Sequence, residues 1–324
     1  MKFSIIIPVF NRPEEIDELL DSLTKQTYRE FEVLVIEDGS TNRCEGVVEK
    51  YKGMMEIRYF EKENSGQGFT RNYGYQKATG DYYIVFDSDC IIPPEYLSVV
   101  ESFLKINRLD AYGGPDRAHE SFTHIQKAIN YAMTSLFTTG GTRGSKFHIG
   151  QYLPRSFNMG ISPGVFKNTG GYIITRMAED LEFSIRIRKS GFTTGFIEEA
   201  FVYHKRRTSL WKFFEQIHFF GRGRINLTRF FPGELKPVHF FPLLFDIGLA
   251  VLIILPFVNL PLFYAGLTVV VIYFLIVWAH ALAKSGNMIV SLLSVIASLI
   301  LLAAYGTGFV REGIKKIFYN KIFL

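Results

Sequence analysis

Residues 240–310 carry two formal charges, Asp246 and Lys284. A run this long and this poor in charge must be kept from water, and a bilayer does that without any need for polar partners. Two interruptions, Pro256-Phe257-Val258-Asn259-Leu260-Pro261 and Lys284-Ser285-Gly286-Asn287, divide it into segments 240–258, 260–283 and 288–310. Each is near the length of about 20 residues that crosses a bilayer as a helix. The first is the weakest, since Asp246 and two prolines break it. A helical bundle buried in a soluble protein is the competing reading, and the near absence of charge counts against it.

Charge is segregated along the 324 residues. Residues 1–203 hold 23 Lys and Arg against 27 Asp and Glu, whereas residues 204–236 hold eight basic and two acidic side chains. The overall net charge of +5 therefore gathers around the apolar region, where it can face anionic headgroups. No stacking or groove-reading motif accompanies it, so a nucleic-acid partner is not expected. Cys44 and Cys90 are too few for a disulfide framework and lack metal-ligand spacing, which fits a reducing compartment. The N-terminal apolar run is short and broken by Pro8, unlike a signal peptide. The expectation is a multi-pass protein of the inner (plasma) membrane with its soluble part in the cytoplasm. Three crossings would carry the basic tail at Arg311, Lys315 and Lys316 outside, against the positive-inside rule; two would keep both basic stretches inside.

The first 90 residues alternate between two periodicities. Strands are expected at 3–9, 31–36, 57–60 and 82–86, and helices at 13–26, 47–51 and 68–77. Asn11 offers a helix cap, with Pro13, Glu14 and Glu15 in the first turn. This alternation calls for an α/β fold with a mostly parallel sheet and helices on both faces. In such sheets ligands bind beyond the carboxyl ends of the strands. The polar clusters at 10–11, 37–40 and 87–89 all lie at those ends and should share one cleft. Further along, 138–158 reads as a mobile loop, 181–189 as a helix and 192–202 as strand-like. Residues 210–230 mix Trp211, Phe213, Phe214, Phe219 and Phe220 with Lys212, Arg222 and Arg224, as a helix in the membrane interface does. The domains expected are a catalytic one over 1–205, the interface segment 206–239, and transmembrane helices with a basic tail over 240–324.

Two carboxylate pairs carry chemistry. Asp87-Ser88-Asp89 follows a hydrophobic strand, and carboxylates so spaced can share a divalent cation that bridges a diphosphate. Surface loops produce the same pattern often, so strand-end position is what gives it weight. Glu179-Asp180 opens a helix, where acidic residues also occur merely to complement the dipole. The functional reading is a general base that takes a proton from an attacking alcohol.

Taken together these segments resemble the family 2 glycosyltransferases, the inverting group with the nucleotide-sugar-binding GT-A fold. The resemblance rests on Ser4-Ile5-Ile6-Ile7-Pro8-Val9-Phe10-Asn11, Val33-Leu34-Val35-Ile36-Glu37-Asp38-Gly39-Ser40 and Thr70-Arg71-Asn72-Tyr73-Gly74. It continues through Gly80 to Asp89, Phe157-Asn158-Met159-Gly160, Gly170-Gly171-Tyr172 and Ala178-Glu179-Asp180-Leu181-Glu182, and spans about residues 3–205 in the family's order. It implies that Pro8, Phe10 and Asn11 line the nucleotide pocket and that Asp38 hydrogen-bonds the base. Arg71 would face the nucleotide or its diphosphate, and Asp87 the ribose or metal. Asp89 would ligate Mn2+ or Mg2+, and Asp180 would be the base with Glu179 beside it. Where the family often has Asp-Asp at the second strand, this chain has Glu37-Asp38.

His204 follows a strand-like run at the place where enzymes of this fold often have a further metal ligand; a structural surface histidine is the bland alternative. Asn158, Gln216, Arg222 and Arg224 are placed by the same resemblance on the acceptor or diphosphate side. The processive Gln-x-x-Arg-Trp sequence is absent, which points to single additions. The implied function is transfer from a nucleotide-diphosphate sugar, most commonly a uridine one, to a hydroxyl of a lipid-linked saccharide or glycolipid. A polyprenyl-phosphate acceptor would need no deprotonation and would leave Glu179-Asp180 without a task. A non-catalytic membrane scaffold would not need Asp38, Asp87, Asp89 and Asp180.

Overall fold

The computed structural model describes residues 1–141 and 152–319. In chain order its elements are β1 (Phe3–Val9), α1 (Pro13–Thr24), β2 (Phe31–Asp38), α2 (Glu45–Glu49), β3 (Glu56–Lys62), α3 (Gln67–Lys77), β4 (Tyr82–Phe86), β5 (Cys90–Ile91) and α4 (Tyr96–Ile106). There follow β6 (Ala111–Gly113), β7 (Asp116–Arg117), α5 (His124–Thr134), α6 (Leu136–Thr139), β8 (Asn158–Ile161), α7 (Pro163–Thr169), α8 (Glu179–Lys189), β9 (Thr194–Phe196) and β10 (Val202–His204). The remainder is helical: α9 (Leu210–Leu227), α10 (Phe241–Ile254), α11 (Leu260–Ser285) and α12 (Met288–Tyr319).

The chain forms two compact units. The first comprises, of the described residues, 1–119 and 152–205. Its main sheet runs in the order β3-β2-β1-β4-β8-β6-β9. β1 to β4 are mutually parallel, whereas β8 is antiparallel to both β4 and β6. Successive residues of a strand point to opposite faces, and both faces are covered here. Ile5, Ile7, Val33 and Val35 pack with Ile16, Leu19, Leu20 and Leu23 of α1 and with α4. Ile6, Leu34, Ile36 and Val85 pack on the other side with Tyr75 of α3 and with Phe183 and Ile187 of α8. Gly74 is required there, because a Cβ on it would lie 2.4 Å from the Ile6 side chain.

A second, small sheet has the order β5-β10-β7. Its antiparallel pairing sets His204 opposite Cys90. The strand-like stretch expected over 192–202 is therefore two short strands, β9 and β10, belonging to different sheets. Of the loop expected over 138–158, α6 ends at Thr139 and β8 begins at Asn158, and residues 142–151 lie outside the described residues.

The second unit comprises 120–141 and 206–319 of the described residues. Residues 120–141 thus group with the helices rather than with 1–119, because α5 places Ile129, Ala132 and Met133 in a core shared with α9 and α12. Within the segment 206–239 expected at the membrane interface, one face of α9 is taken up by packing. The apolar face of α9, Phe213 and Ile217, is buried against Ala297, Leu301 and Leu302 of α12. Gly221 meets the Tyr305 carbonyl and Gly308 meets the His218 carbonyl so closely that a Cβ would fall 2.2 and 2.0 Å from them. Further along, Arg222 and Arg229 reach the buried Glu312 at 3.2 and 3.4 Å, and Lys316 donates to Thr228 at 2.6 Å. Numbers rise together along both helices, so α9 and α12 run parallel.

Three helices are long and apolar enough to cross a membrane: Pro237–Phe257, Leu260–Ser285 and Met288–Phe318, with mean hydropathies of 2.4, 2.4 and 2.5. The third continues past the residue-310 limit expected from composition, since Arg311, Lys315 and Lys316 do not break a helix whose Glu312 is paired internally.

Candidate active site

The parallel strands β1, β2 and β4 deliver Asn11, Asp38 and Asp87-Ser88-Asp89 to one edge of the main sheet. Pro8 is half-buried in β1 and Phe10 is exposed just beyond it. Asn11 does not cap α1. It takes a left-handed conformation (φ 54°), and its side-chain carbonyl accepts from the Thr41 and Asn42 amides, both at 2.9 Å. Asn11 thus fixes the loop after β2, and Arg12 occupies the cap position without a capping hydrogen bond.

Asp38, buried at the end of β2, accepts from Lys62 Nζ at 2.7 Å and from the Ser65 and Gly66 amides at 3.0 and 2.9 Å. Burial pushes its carboxyl up, but these donors outweigh burial and hold it below the usual carboxylate range. Glu37 points the other way, fully buried, and accepts from Ser40 and from the Cys44 amide. The residue that departs from the family's Asp-Asp pattern is therefore a loop anchor rather than an outer contact.

Asp89 and His204 meet through the small sheet. Asp89 Oδ2 accepts from Arg12 at 2.7 Å, and Oδ1 lies 3.1 Å from His204 Nε2 without an aligned hydrogen bond. The imidazole stacks on Phe157, with centroids 5.0 Å apart. Burial raises the Asp89 carboxyl, yet His204 and Arg12 outweigh it and keep it ionised. Two ligand atoms bound at about 2.1 Å and at right angles are about 3 Å apart, so Asp89 Oδ1 and His204 Nε2 have the bite of a divalent-cation site. Cys90 Sγ is near both, but burial raises its thiol well above the ordinary range and makes it a poor ligand for a hard cation. The donor set thus fits Mn2+ or Mg2+, with Asp87, about a third exposed, as the neighbouring carboxylate.

Arg71 does not face the cleft as expected. It is 1% exposed, donates to Asp87 at 2.8 Å, approaches Glu179 at 3.6 Å and lies over the Tyr172 ring. It is a buried cation tying the strand-end aspartate to the carboxylates of α8. Those carboxylates follow Met177 and Ala178, two residues in the left-handed region (φ 58° and 74°). Such strain persists only where the surroundings enforce it. Earlier in the same segment, Asn72 clamps the backbone of Tyr172 from both sides at 2.8 Å. Asp180 accepts from Arg155 at 3.3 Å, and its side chain is the more exposed of the pair. Burial first, and then the charge of Asp180, push the Glu179 carboxyl up to about 7.

Four further expected residues have the following surroundings. Asn158 is fully buried, donating to the Ala200 carbonyl at 2.8 Å and accepting from Tyr96; it holds β8 in the core and offers nothing to an acceptor. Gln216, Arg222 and Arg224 belong to α9 in the helical unit. Arg222 pairs with Glu312 at 3.2 Å, while Gln216 and Arg224 are half-buried and Arg224 Nε has no hydrogen-bond partner. Arg12, Arg155 and Gln67, which donates to Glu179, were not legible in the sequence.

Residues 4–183 match the family model described as Glycosyl transferase family 2. The chain is 37% identical over 114 residues to the poly(ribitol-phosphate) β-N-acetylglucosaminyltransferase TarS of Staphylococcus aureus (strain Mu50), covering 34% of this chain and 20% of that protein. An uncharacterized glycosyltransferase of Haemophilus influenzae is 28% identical over 216 residues, 64% of this chain and 70% of that protein. The relatives matched at 37% are much longer, and the chain spans about a fifth of their length. In fold it is similar to the mannosyltransferase PcManGT from Pyrobaculum calidifontis in complex with GDP-Man and Mn2+, with 16% identity, a TM-score of 0.58, and 99% of this chain and 88% of that one covered.

Proposed function

As the chain belongs to glycosyltransferase family 2, we propose that it moves a sugar from a nucleotide-diphosphate donor, with inversion, onto a hydroxyl of a lipid-linked saccharide or glycolipid. The observation that carries this reading is the tie through Arg71, which joins Asp87 at the end of β4 to Glu179 at the head of α8. One buried cation thereby holds donor-side and base-side carboxylates in register.

In this reading Asp38 meets the base of the nucleotide, beside Pro8 and Phe10. Asp89 and His204, with Asp87, would hold a divalent ion, which would supply positive charge to the diphosphate leaving group. Asp180 takes the proton of the attacking hydroxyl. Glu179, whose carboxyl is raised by burial and by Asp180, takes on negative charge less readily beside it. A polyprenyl-phosphate acceptor fits less well, because an acceptor that is already an anion gives Asp180 no proton to take. The apolar helices suit an acceptor held in a membrane, and the soluble unit is assigned to the cytoplasm.

The test is thermal stabilisation of the purified chain by a panel of nucleotide sugars with and without Mn2+, followed by assay of transfer to lipid-linked saccharides. Stabilisation by none of them, or transfer only to a lipid phosphate, would overturn the reading.

A further inference from the structure

The geometry points to Gln67 as the positioning residue that holds Glu179, and through it Asp180, at the head of α8. Gln67 opens α3 and its side-chain amide donates to Glu179 Oε1. Arg71, one helical turn on and on the same face, brings Nη1 to 3.6 Å from that same oxygen. A neutral donor and a cationic one thus converge on one carboxyl oxygen.

The flanking residues show how Gln67 is aimed. Asp38 accepts from the Ser65 and Gly66 amides, which fixes the backbone just before it. The Gly68 amide donates to Thr175 Oγ1 at 3.2 Å. A Cβ on Gly66 would lie 2.2 Å from Thr175 Oγ1, and one on Gly68 would lie 2.6 Å from the Ile174 carbonyl. The segment before Glu179 therefore rests directly on the two glycines that bracket Gln67. This short strip connects the donor-side carboxylate Asp38 to the base pair. The inference rests on the reading of Asp180 as base, but the clamp itself is separately testable.

The groups around Glu179 are Arg71 from α3, Asp87 beyond β4 and its neighbour Asp180. Gln67 is the uncharged donor among them, and a donor to the ionised form lowers a carboxyl's proton affinity. Removing it, as in Gln67→Met, should make Glu179 still harder to ionise. With the full-length chain in detergent, melting should then drop more at pH 8 than at pH 5. That pH-dependent part should vanish in a Glu179→Gln background. Hydrolysis of UDP-N-acetylglucosamine and UDP-glucose, used as probe donors with Mn2+, should lose between about tenfold and a hundredfold in kcat with KM unchanged. An equal melting loss at both pH values in both backgrounds would mean a merely structural contact and overturn the inference. Asp180→Asn is run in parallel. If it stays active the base assignment fails, whereas an inactive Asp180→Asn beside a wild-type-like Gln67→Met sinks only the clamp.

Discussion

His204 Nε2 stands 3.1 Å from Asp89 Oδ1, on a strand that reaches Asp89 only through the three-stranded sheet. Neither residue would find the other without the antiparallel pairing of β10 with β5. If this pair grips a divalent ion, Asp89→Asn should lower turnover at least about a hundredfold, since metal stabilisation of developing charge is worth several kcal/mol. Isothermal titration of Mn2+ should show affinity falling in Asp89→Asn and in His204→Ala alike. Full transfer in excess chelator would remove the metal from the mechanism.

Asp180→Asn should keep the donor's dissociation constant and lose about 10²–10⁴-fold in kcat, the span of a general base. The anomeric configuration of the product, read by proton NMR, should be inverted. A retained configuration would mean two displacements and a different set of residues.

Glu179 imposes a pH dependence on stability. Its carboxyl is raised from 4.5 in the unfolded chain to about 7 in the native state. Between those values the native state binds the extra proton, so stability declines as pH rises through that window and levels off above it. Glu179→Gln should abolish the decline and gain up to about 3 kcal/mol at pH 8 relative to wild type. Melting curves at pH 5 and pH 8 measure it; a variant that gains more at pH 5 would reverse the sign.

The helical unit yields a prediction of membrane topology. Arg222 and Arg229 touch Glu312, and Thr228 touches Lys316, so the basic stretch after α9 and the basic end of α12 lie at one end of the bundle. An even number of crossings between them is expected, with α11 and α12 as the crossing hairpin. Cysteines placed at Glu14, which is exposed, and at Asn320 should both resist an impermeant reagent in intact cells and react after permeabilisation. Labelling at Asn320 alone would give an odd number, and labelling at Glu14 would put the soluble unit outside.

What the sequence made legible was local. β1 and β4 were bounded to the residue because a β-branched or aromatic run ends there in polar residues, and strand ends gathered Asp38, Asp87 and Asp89 by topology alone. The small sheet escaped, since strands of two or three residues carry no period. Arg12 and Gln67 escaped because nothing nearby in sequence marks their distant partners. Asn158 misled because a motif position does not tell which way a side chain faces; its strand turns it into the core. In α9 the aromatic and basic residues suggested an interfacial helix, and only the fold supplies Glu312, far along the chain, as the partner of its arginines.

The parallel pairing of α9 with the far half of α12 also sets an order of events during synthesis. Phe213 and Ile217 have no apolar partner on α12 until residues 297–302 have emerged, and the two arginines wait for Glu312. The helical unit therefore closes only after Glu312 has been made, whereas β1 to β4 can associate within the first 90 residues. A ribosome stalled near Lys284 would hold a folded sheet beside an open, apolar α9 surface, the species most in need of a chaperone or of the bilayer itself.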